Sequence, residues 1–600
     1  MNKTTGLRFL RPYLYQEVVI TRQSAYVRFY CVAAPATNAL GYESSIAAPK
    51  NKQLRDGEMS KQKKLPRLKE QEKTARIRER IEKLKKHNEL EYPRLENTED
   101  VMTVADFNEA FKDLITKSSD VKTVRGRVFS LRHVGRKLIF ISMMQDGQRV
   151  DVKCEFQHLA DTTQILDSDF SRFTSLIRPG DIISVSGTPS LSRNGDPAIV
   201  ANKLPITISP GLAQLPLEMD DRETRIRNRH LDLLVNRSAA DKLRVRSHII
   251  QYMRGYLLKD KFLEVQTPII ADKASGAIAR PFATTATEFP DKQLALRIAP
   301  EIWLKRLILG GIDRVFEIGP AFRNEGLDAT HNPEFTTCEF YKSYASFEDL
   351  ILMTEELICG MAKHITSMIE SKDNAIRAVQ LPVIDVALSI APFKRISFIP
   401  AVEAALGESL PDLNAQDAET KLIALLDKNS ITVPASPTLP RLLDRLSTLF
   451  IEPYCSAPTF ITNHPACMAP LSKSFIDPMT NQAVSARAEL FIHHKEVANM
   501  YEEENSPFEQ RRKFEEQTKW KDAENGAHMD ESYLRALEYG LPPTGGWGCG
   551  VDRLCMLLTG ATRISDVLSF GSLRNVVGLG NEAKDRDTEE KPKPKREGGK

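Results

Sequence analysis

The stretch that most constrains the fold runs from Arg314 to Tyr344, RVFEIGPAFRNEGLDATHNPEFTTCEFYKSY. Val315, Phe316 and Ile318 open it with strand-like spacing, a polar loop follows, and a second alternating run closes it. That is the pattern of two antiparallel strands joined by a long loop. Side chains on a strand repeat every second residue, so Phe335, Thr337, Glu339 and Tyr341 share one face. Arg323 and Glu325 stand at the end of the first strand, and His331 and Asn332 lie on the loop. A face that joins aromatic rings, a carboxylate and an arginine is poorly suited to a core and well suited to a charged ligand.

The 600-residue chain is too long for one hydrophobic core, and its texture changes along its length. Residues 1–45 carry Lys3, Arg8, Arg11, Arg22 and Arg28 against two acids, Glu17 and Glu43. Arginine-rich, acid-poor composition is that of a mitochondrial transit peptide, with a disordered basic tail as the alternative. Residues 46–115 read as a basic helical extension in which Ile77, Ile81 and Leu84 form one apolar stripe. A solvated helix laced with ion pairs and an arm for a polyanion such as RNA both fit that stripe. Residues 116–210 change to short alternating strands punctuated by glycine, the signature of a small OB-fold barrel. There Arg132 and Phe140 set a cation beside an aromatic on adjacent strands, a pairing suited to phosphate contact and base stacking. Phe140 fits a core position equally well.

Residues 211–235 read as a linker, 236–580 as a larger domain, and 581–600 as a low-complexity, disordered tail. The 83 basic and 80 acidic residues nearly cancel, so net charge does not identify a partner. No apolar run is long enough to span a bilayer, so nothing in the chain reads as an integral membrane protein. The eight cysteines form no CxxC pair and read as reduced thiols rather than zinc ligands or disulfides.

Three blocks, KFLEVQTPII (261–270), FRNEGLDATHNPEFTTCEFY (322–341) and GLPPTGGWGCGVDRL (540–554), resemble the signature motifs of class II aminoacyl-tRNA synthetases. With RIAPEIWLKRLILGG (297–311) and ALEYGLPPT (536–544), the chain most resembles the lysyl-tRNA synthetases over roughly residues 75–570, and the leader suggests a mitochondrial form. The resemblance implies an α+β multidomain fold, an anticodon-binding OB barrel ahead of a catalytic domain built on an antiparallel sheet flanked by helices. It implies ATP and Mg2+, L-lysine and tRNA(Lys) as partners, a homodimer through residues 247–270, and the mitochondrial matrix as location.

Matching positions then acquire expected roles. Arg323 bridges the α-phosphate and the lysine carboxylate; Arg553 and His331 meet the γ-phosphate. Phe335 and Arg553 sandwich the adenine, Glu325 accepts from its amino group, and Asn332 belongs to the same nucleotide site. Glu489 and Glu496 are the expected magnesium ligands. Gly276, Glu301, Glu339 and Asn499 surround the α-amino group, Tyr501 walls the aliphatic stem, and Tyr341 and Glu503 receive the ε-ammonium. The consecutive acids Glu502, Glu503 and Glu504 leave a one-residue ambiguity, resolved in favour of Glu503 by its spacing to Asn499 and Asn505. The chain departs from the family at LSFGSLRNV (568–576), where an apolar-Phe-Pro-Ala-Met phrase is usual. An aspartyl- or asparaginyl-type relative and a catalytically idle RNA-binding paralogue are the competing readings.

Overall fold

The computed structural model describes residues 71–95, 100–114, 120–272, 276, 279–370, 384–520 and 529–573. The expected leader 1–45 and tail 581–600 lie outside the described residues. Strands β1 (Lys122–His133), β2 (Leu138–Gln145), β3 (Gln148–Glu155), β4 (Ile182–Leu191) and β5 (Pro197–Ala201) pair in the order β1-β2-β3-β5-β4. Pairing of β4 back to β1 closes them into a barrel. Alternation sends Val124, Val128, Ile139, Ile141, Val152, Ile183 and Ile199 inward to one core. At Gly187 an added Cβ would lie 2.1 Å from the Val200 carbonyl oxygen, so only glycine lets β4 and β5 approach.

Residues 75–86 are helical and dock on this barrel along the expected stripe, with Leu84 buried and Ile77 and Ile81 half-buried. Arg80 joins the stripe, donating to the Leu176 carbonyl at 2.5 Å and to both Asp181 oxygens at 3.2 and 3.1 Å. Arg78, Lys85 and Lys86 stay exposed.

The polar connector is ordered. It folds into two short helices, Arg222–Arg227 and Arg229–Val235. Asp232 accepts from Arg225 at 2.7 Å and Arg229 at 2.6 Å. Arg229 also donates to the carbonyls of Asp566, Leu568 and Ser569 at 3.1–3.3 Å. Contacts to main-chain oxygens do not depend on the identity of the side chains at 566–569.

The larger domain is an eight-stranded sheet between helices. The long helix α1 (Arg237–Lys259) leads to α2 (Glu301–Leu309), and then to the hairpin β6 (Arg314–Phe322) and β7 (Glu334–Ser343), in register from Arg314↔Lys342 to Phe322↔Glu334. After α3 (Phe347–Glu370) come β8 (Lys394–Ser397) and the helices α4 (Phe398–Leu406), α5 (Ala418–Lys428) and α6 (Leu439–Phe450). The domain finishes with β9 (Thr459–Thr462), β10 (Arg487–Ile492), β11 (Lys495–Glu502), α7 (Pro507–Trp520), α8 (Glu531–Leu537), β12 (Thr544–Gly550) and α9 (Val551–Thr559). The strand order is β8-β9-β10-β11-β12-β7-β6, with Leu263–Glu264 at the β6 edge.

The two faces of the hairpin separate by chemistry. Phe316, Cys338 and Phe340 join Trp547, α1 and α3 in the main core, with Phe340 stacked on Trp547 at 5.0 Å between ring centroids. Phe335, Thr337, Glu339 and Tyr341 face the other way, into a cavity. Helices α4–α6 form a separate apolar cluster beside β9, and the start of α6 reaches the cavity with Thr438, Pro440 and Arg441. The seven described cysteines are all free thiols. Among the described residues, no helix is long and apolar enough to cross a membrane.

Candidate active site

A cavity of about 1290 Å³ opens over the polar face of the sheet, room for two small molecules side by side. Its two ends are opposite in charge.

At one end the hairpin strand β6 delivers Arg323, whose guanidinium lies 5.1 Å from the centroid of the Phe335 ring. The glycine-rich strand β12 turns directly into α9 and so delivers Arg553 at the mouth of that helix. Arg553 donates to the Glu496 carbonyl oxygen at 3.0 Å and to His331 Nε2 at 2.7 Å. His331 Nδ1 in turn donates to Asp328 at 2.7 Å, so the partners select the neutral Nδ1–H tautomer. Burial would raise the Asp328 carboxyl, but N–H groups of Thr330 and His331 and the imidazole itself hold it at about 2. Glu325 lies at the exposed rim. Asn332 has a positioning task, donating to the Glu334 carbonyl at 2.6 Å and accepting from the Leu573 N–H at 3.0 Å.

The spacing of Phe335 and Arg553 is set by their neighbours. Asp552 accepts from the Thr336 N–H at 2.8 Å and pairs with Arg246 of α1. Arg246 closes the triangle by donating to Thr336 Oγ1 at 2.9 Å.

Glu489 and Glu496 stand on the β10–β11 hairpin behind Arg553. Glu489 accepts from His464 Nε2 at 3.2 Å and is paired with Arg487. Burial pushes its carboxyl up, yet Arg487 and His464 hold it at about 2. Glu496 is raised, first by burial and then by the charge of Glu489. Among the described residues no three His, Cys, Asp or Glu side chains converge on one point. Glu496 lines the cavity with Glu489 close behind it, and two such carboxylates are a donor set that fits magnesium, which takes one or two carboxylates and completes its shell from phosphates and water.

The other end is acidic and sealed. Gly276 adopts φ +99°, and an added Cβ would meet Glu301 Cβ at 3.1 Å. Tyr501 donates to Glu301 at 2.7 Å, and Asn499 accepts from Arg487 at 3.1 Å. Glu339 accepts weakly from Thr337 and Tyr341, each at 3.5 Å. Burial, with Glu301 next, lifts its carboxyl to about 8.

The three consecutive acids separate cleanly. Glu502 accepts from the Phe347 N–H at 2.9 Å. Glu504 accepts from Lys513 at 2.6 Å and from the Ser506 N–H at 3.1 Å. Glu503 alone turns toward the cavity, but it lies beneath the floor, 1% exposed, and in ion-pair contact with Lys305. Burial raises the Glu503 carboxyl and Lys305 opposes that rise.

Sequence reasoning missed Lys305, although it lies four residues after Glu301 on a helix, EIWLKRLIL, with few other charges. It also missed Arg487 and His464, which hold Glu489, and Tyr533, a fully buried wall of the acidic end. Their partners are too far away in sequence for spacing to connect them. On the barrel, Arg132 and Phe140 are register partners on β1 and β2, and the guanidinium sits 4.7 Å from the ring centroid. Phe140 is half-buried, Arg132 is exposed, and Phe129 nearby is 55% exposed.

The comparisons with known proteins agree with this division. Residues 122–207 match the family model of the OB-fold nucleic acid binding domain, and residues 221–574 match that of tRNA synthetases class II (D, K and N). Lysine–tRNA ligase cla4 of Cladosporium cladosporioides is 40% identical over 518 residues, 83% of this chain and 83% of its own length. The probable cytoplasmic lysine–tRNA ligase of Encephalitozoon cuniculi is 39% identical, covering 76% of this chain and 88% of its own. The mitochondrial lysine–tRNA ligase of Schizosaccharomyces pombe is 38% identical, covering 81% and 91%. With one family model spanning more than half of its length and two of these relatives matched over more than four fifths of it, the chain belongs to the class II tRNA synthetases, among the lysine–tRNA ligases.

Proposed function

We propose that this enzyme, an ATP-dependent lysine–tRNA ligase, joins L-lysine to tRNA(Lys) through a lysyl-adenylate, for translation in the mitochondrial matrix. The observation that carries the reading is one cavity with a cationic end and an acidic end that meet at Arg323 and Glu339. The lysine carboxylate attacks the α-phosphorus of ATP; an oxygen–phosphorus bond forms as the bond to pyrophosphate breaks. The nucleophile is already ionised, so no base is needed, and alignment with charge neutralisation must supply the rate. Arg323 is proposed to bridge the two reacting groups, since a guanidinium fork fits carboxylate and phosphate together. Arg553 and His331 take the γ-phosphate, and Phe335 and Arg553 hold the adenine, with Glu325 on its amino group. Asn332 keeps the hairpin loop in place. In the second step a terminal ribose hydroxyl of the tRNA attacks the activated carbonyl and AMP leaves.

Glu489 and Glu496 would hold Mg2+, which supplies neutralisation of phosphate charge. Gly276, Glu301, Glu339 and Asn499 receive the α-amino group, Tyr501 the stem, and Tyr341 with Glu503 the ε-ammonium. An aspartate or asparagine ligase needs a free cation in the pocket for an acidic substrate. Here the sole pocket ammonium among the described residues, Lys305, is already flanked by Glu301 and Glu503, which disfavours that reading. The arginine-rich leader and a mitochondrial relative support the matrix assignment, and the partition at 1–45, 46–115, 116–210, 211–235, 236–580 and 581–600 is proposed with it. A homodimer through 247–270 has the exposed Leu258, Leu263, Ile269 and Ile270 in its favour. The test is exchange of labelled pyrophosphate into ATP by the full chain. Lysine must drive it, and exchange driven by aspartate or asparagine instead would overturn the reading.

A further inference from the structure

The amino-acid pocket contains a cation of its own. Lys305 is fully buried on α2, with its ammonium 2.6 Å from Glu301 Oε1 and against Glu503 Oε2. Three tyrosine rings, Tyr341, Tyr501 and Tyr533, surround it at 5.7–5.9 Å from ring centroid to nitrogen. An unpaired ammonium would not survive such burial, and neither would a lone Glu503. Each therefore explains the other.

The remaining oxygen of Glu503 shows where a ligand enters. Neither Glu503 oxygen has a hydrogen-bond partner; Oε2 is held by the Lys305 ion pair, and Oε1 has neither. It lies over Gly546, where an added Cβ would come within 1.9 Å of it and 2.7 Å of the Tyr341 ring. Gly546 itself lines the cavity, so the missing side chain is the opening between the cavity and that oxygen. The hydroxyl of Tyr533, also fully buried, is unpartnered as well.

Charge counting sharpens the point. Glu301, Glu339 and Glu503 set three carboxylates around the acidic end, and Lys305 supplies one ammonium. Two carboxylates are left for the two ammonium groups of free lysine, and Arg323 is left for its carboxylate. Without Lys305 the pocket holds one negative charge too many for its ligand, in a place where surplus charge is most costly.

We propose that Lys305 is a specificity-determining positioning residue, a fixed counter-ion that binds one oxygen of Glu503 and leaves the other, across Gly546, for the terminal ammonium of the substrate. The inference rests on the functional reading above and adds to it how a neutral side chain is refused. A substrate ending in a hydroxyl would leave the oriented, ion-paired carboxylate facing a dipole in place of a cation.

The experiment uses the full chain with lysine as substrate and 6-hydroxynorleucine, the hydroxyl isostere, as competing inhibitor of pyrophosphate exchange. Wild-type exchange with lysine is measured first; its absence would overturn the functional reading, not this one. In Lys305→Met, kcat/KM for lysine should fall by about 100-fold or more and the preference for lysine over the isostere should collapse. The KM for ATP should stay within about twofold, because the nucleotide end is untouched. Glu503→Gln should show the same collapse. The double variant Lys305→Met/Glu503→Gln removes both members of that ion pair and leaves Glu301 the hydroxyl of Tyr501; with its thermal midpoint checked against wild type, it should lose no more than the worse single variant. Unchanged preference in Lys305→Met, or losses that multiply in the double variant, would overturn the proposal.

Discussion

At the end of the cavity built on Arg323 and Arg553 the charges stand partly in water; at the end built on Glu301, Glu339 and Glu503 they are sealed. The Arg553 and His331 side chains are 25% and 52% exposed, whereas those of Lys305 and Glu503 are both 0% exposed. Charges in the open interact weakly but adapt easily, so Arg553 can exchange His331 and the Glu496 carbonyl for phosphate oxygens at little cost. Charges in a low-dielectric interior interact strongly and punish any mismatch. On the proposed reading, the nucleotide takes the adaptable end and discrimination among amino acids falls to the rigid one.

The comparison can be broken in four ways. The largest effect is expected from Arg323→Ala, which removes the group shared by both ends; exchange should slow by roughly 10²–10³-fold with the thermal midpoint unchanged. Loss confined to the KM of one substrate would show that the ends do not meet at this residue. Gly546→Ala closes the opening above Glu503 and should raise the lysine KM about 10- to 100-fold, with the ATP KM constant; equal damage to both would mark a folding fault. Phe140→Ala lies outside both ends and should weaken tRNA charging by about 1–3 kcal/mol while exchange continues. An exchange defect in that variant would dissolve the separation between barrel and cavity.

The smallest effect is a proton. The Glu339 carboxyl is lifted to about 8, by burial first and then by Glu301. Its pKa is raised over the unfolded value of 4.5, so in the empty protein its contribution to stability declines as pH rises from about 4.5 toward 8. A bound cation favours the carboxylate, so lysine binding near pH 7 should release a proton, and lysine affinity should improve with pH up to about 8. Calorimetry in buffers of different ionisation enthalpy reads this directly. Identical enthalpies in all buffers, or the same release from Glu339→Gln, would assign the proton elsewhere.

What could be read in advance follows from the range of each interaction. Alternation along Phe335, Thr337, Glu339 and Tyr341 is local, and it identified both the strand and its ligand-facing side. The choice among Glu502, Glu503 and Glu504 is not local. It depends on Phe347, Lys305 and Lys513, on three other elements. Lys305 looks like any surface lysine in a helix until β7, α8 and β11 close around it. The role of Arg229 in the linker was hidden for a similar reason, because its carbonyl partners lie more than three hundred positions away.

That grip of Arg229 on the carbonyls of Asp566, Leu568 and Ser569 has a consequence for how such a protein can be assembled. The catalytic half begins and ends at one place, within the reach of a single side chain. A module whose entrance and exit coincide can be spliced behind different RNA-reading partners, or rejoined end to end and reopened elsewhere, with little disturbance to its interior. The arginine is the clasp of a cassette.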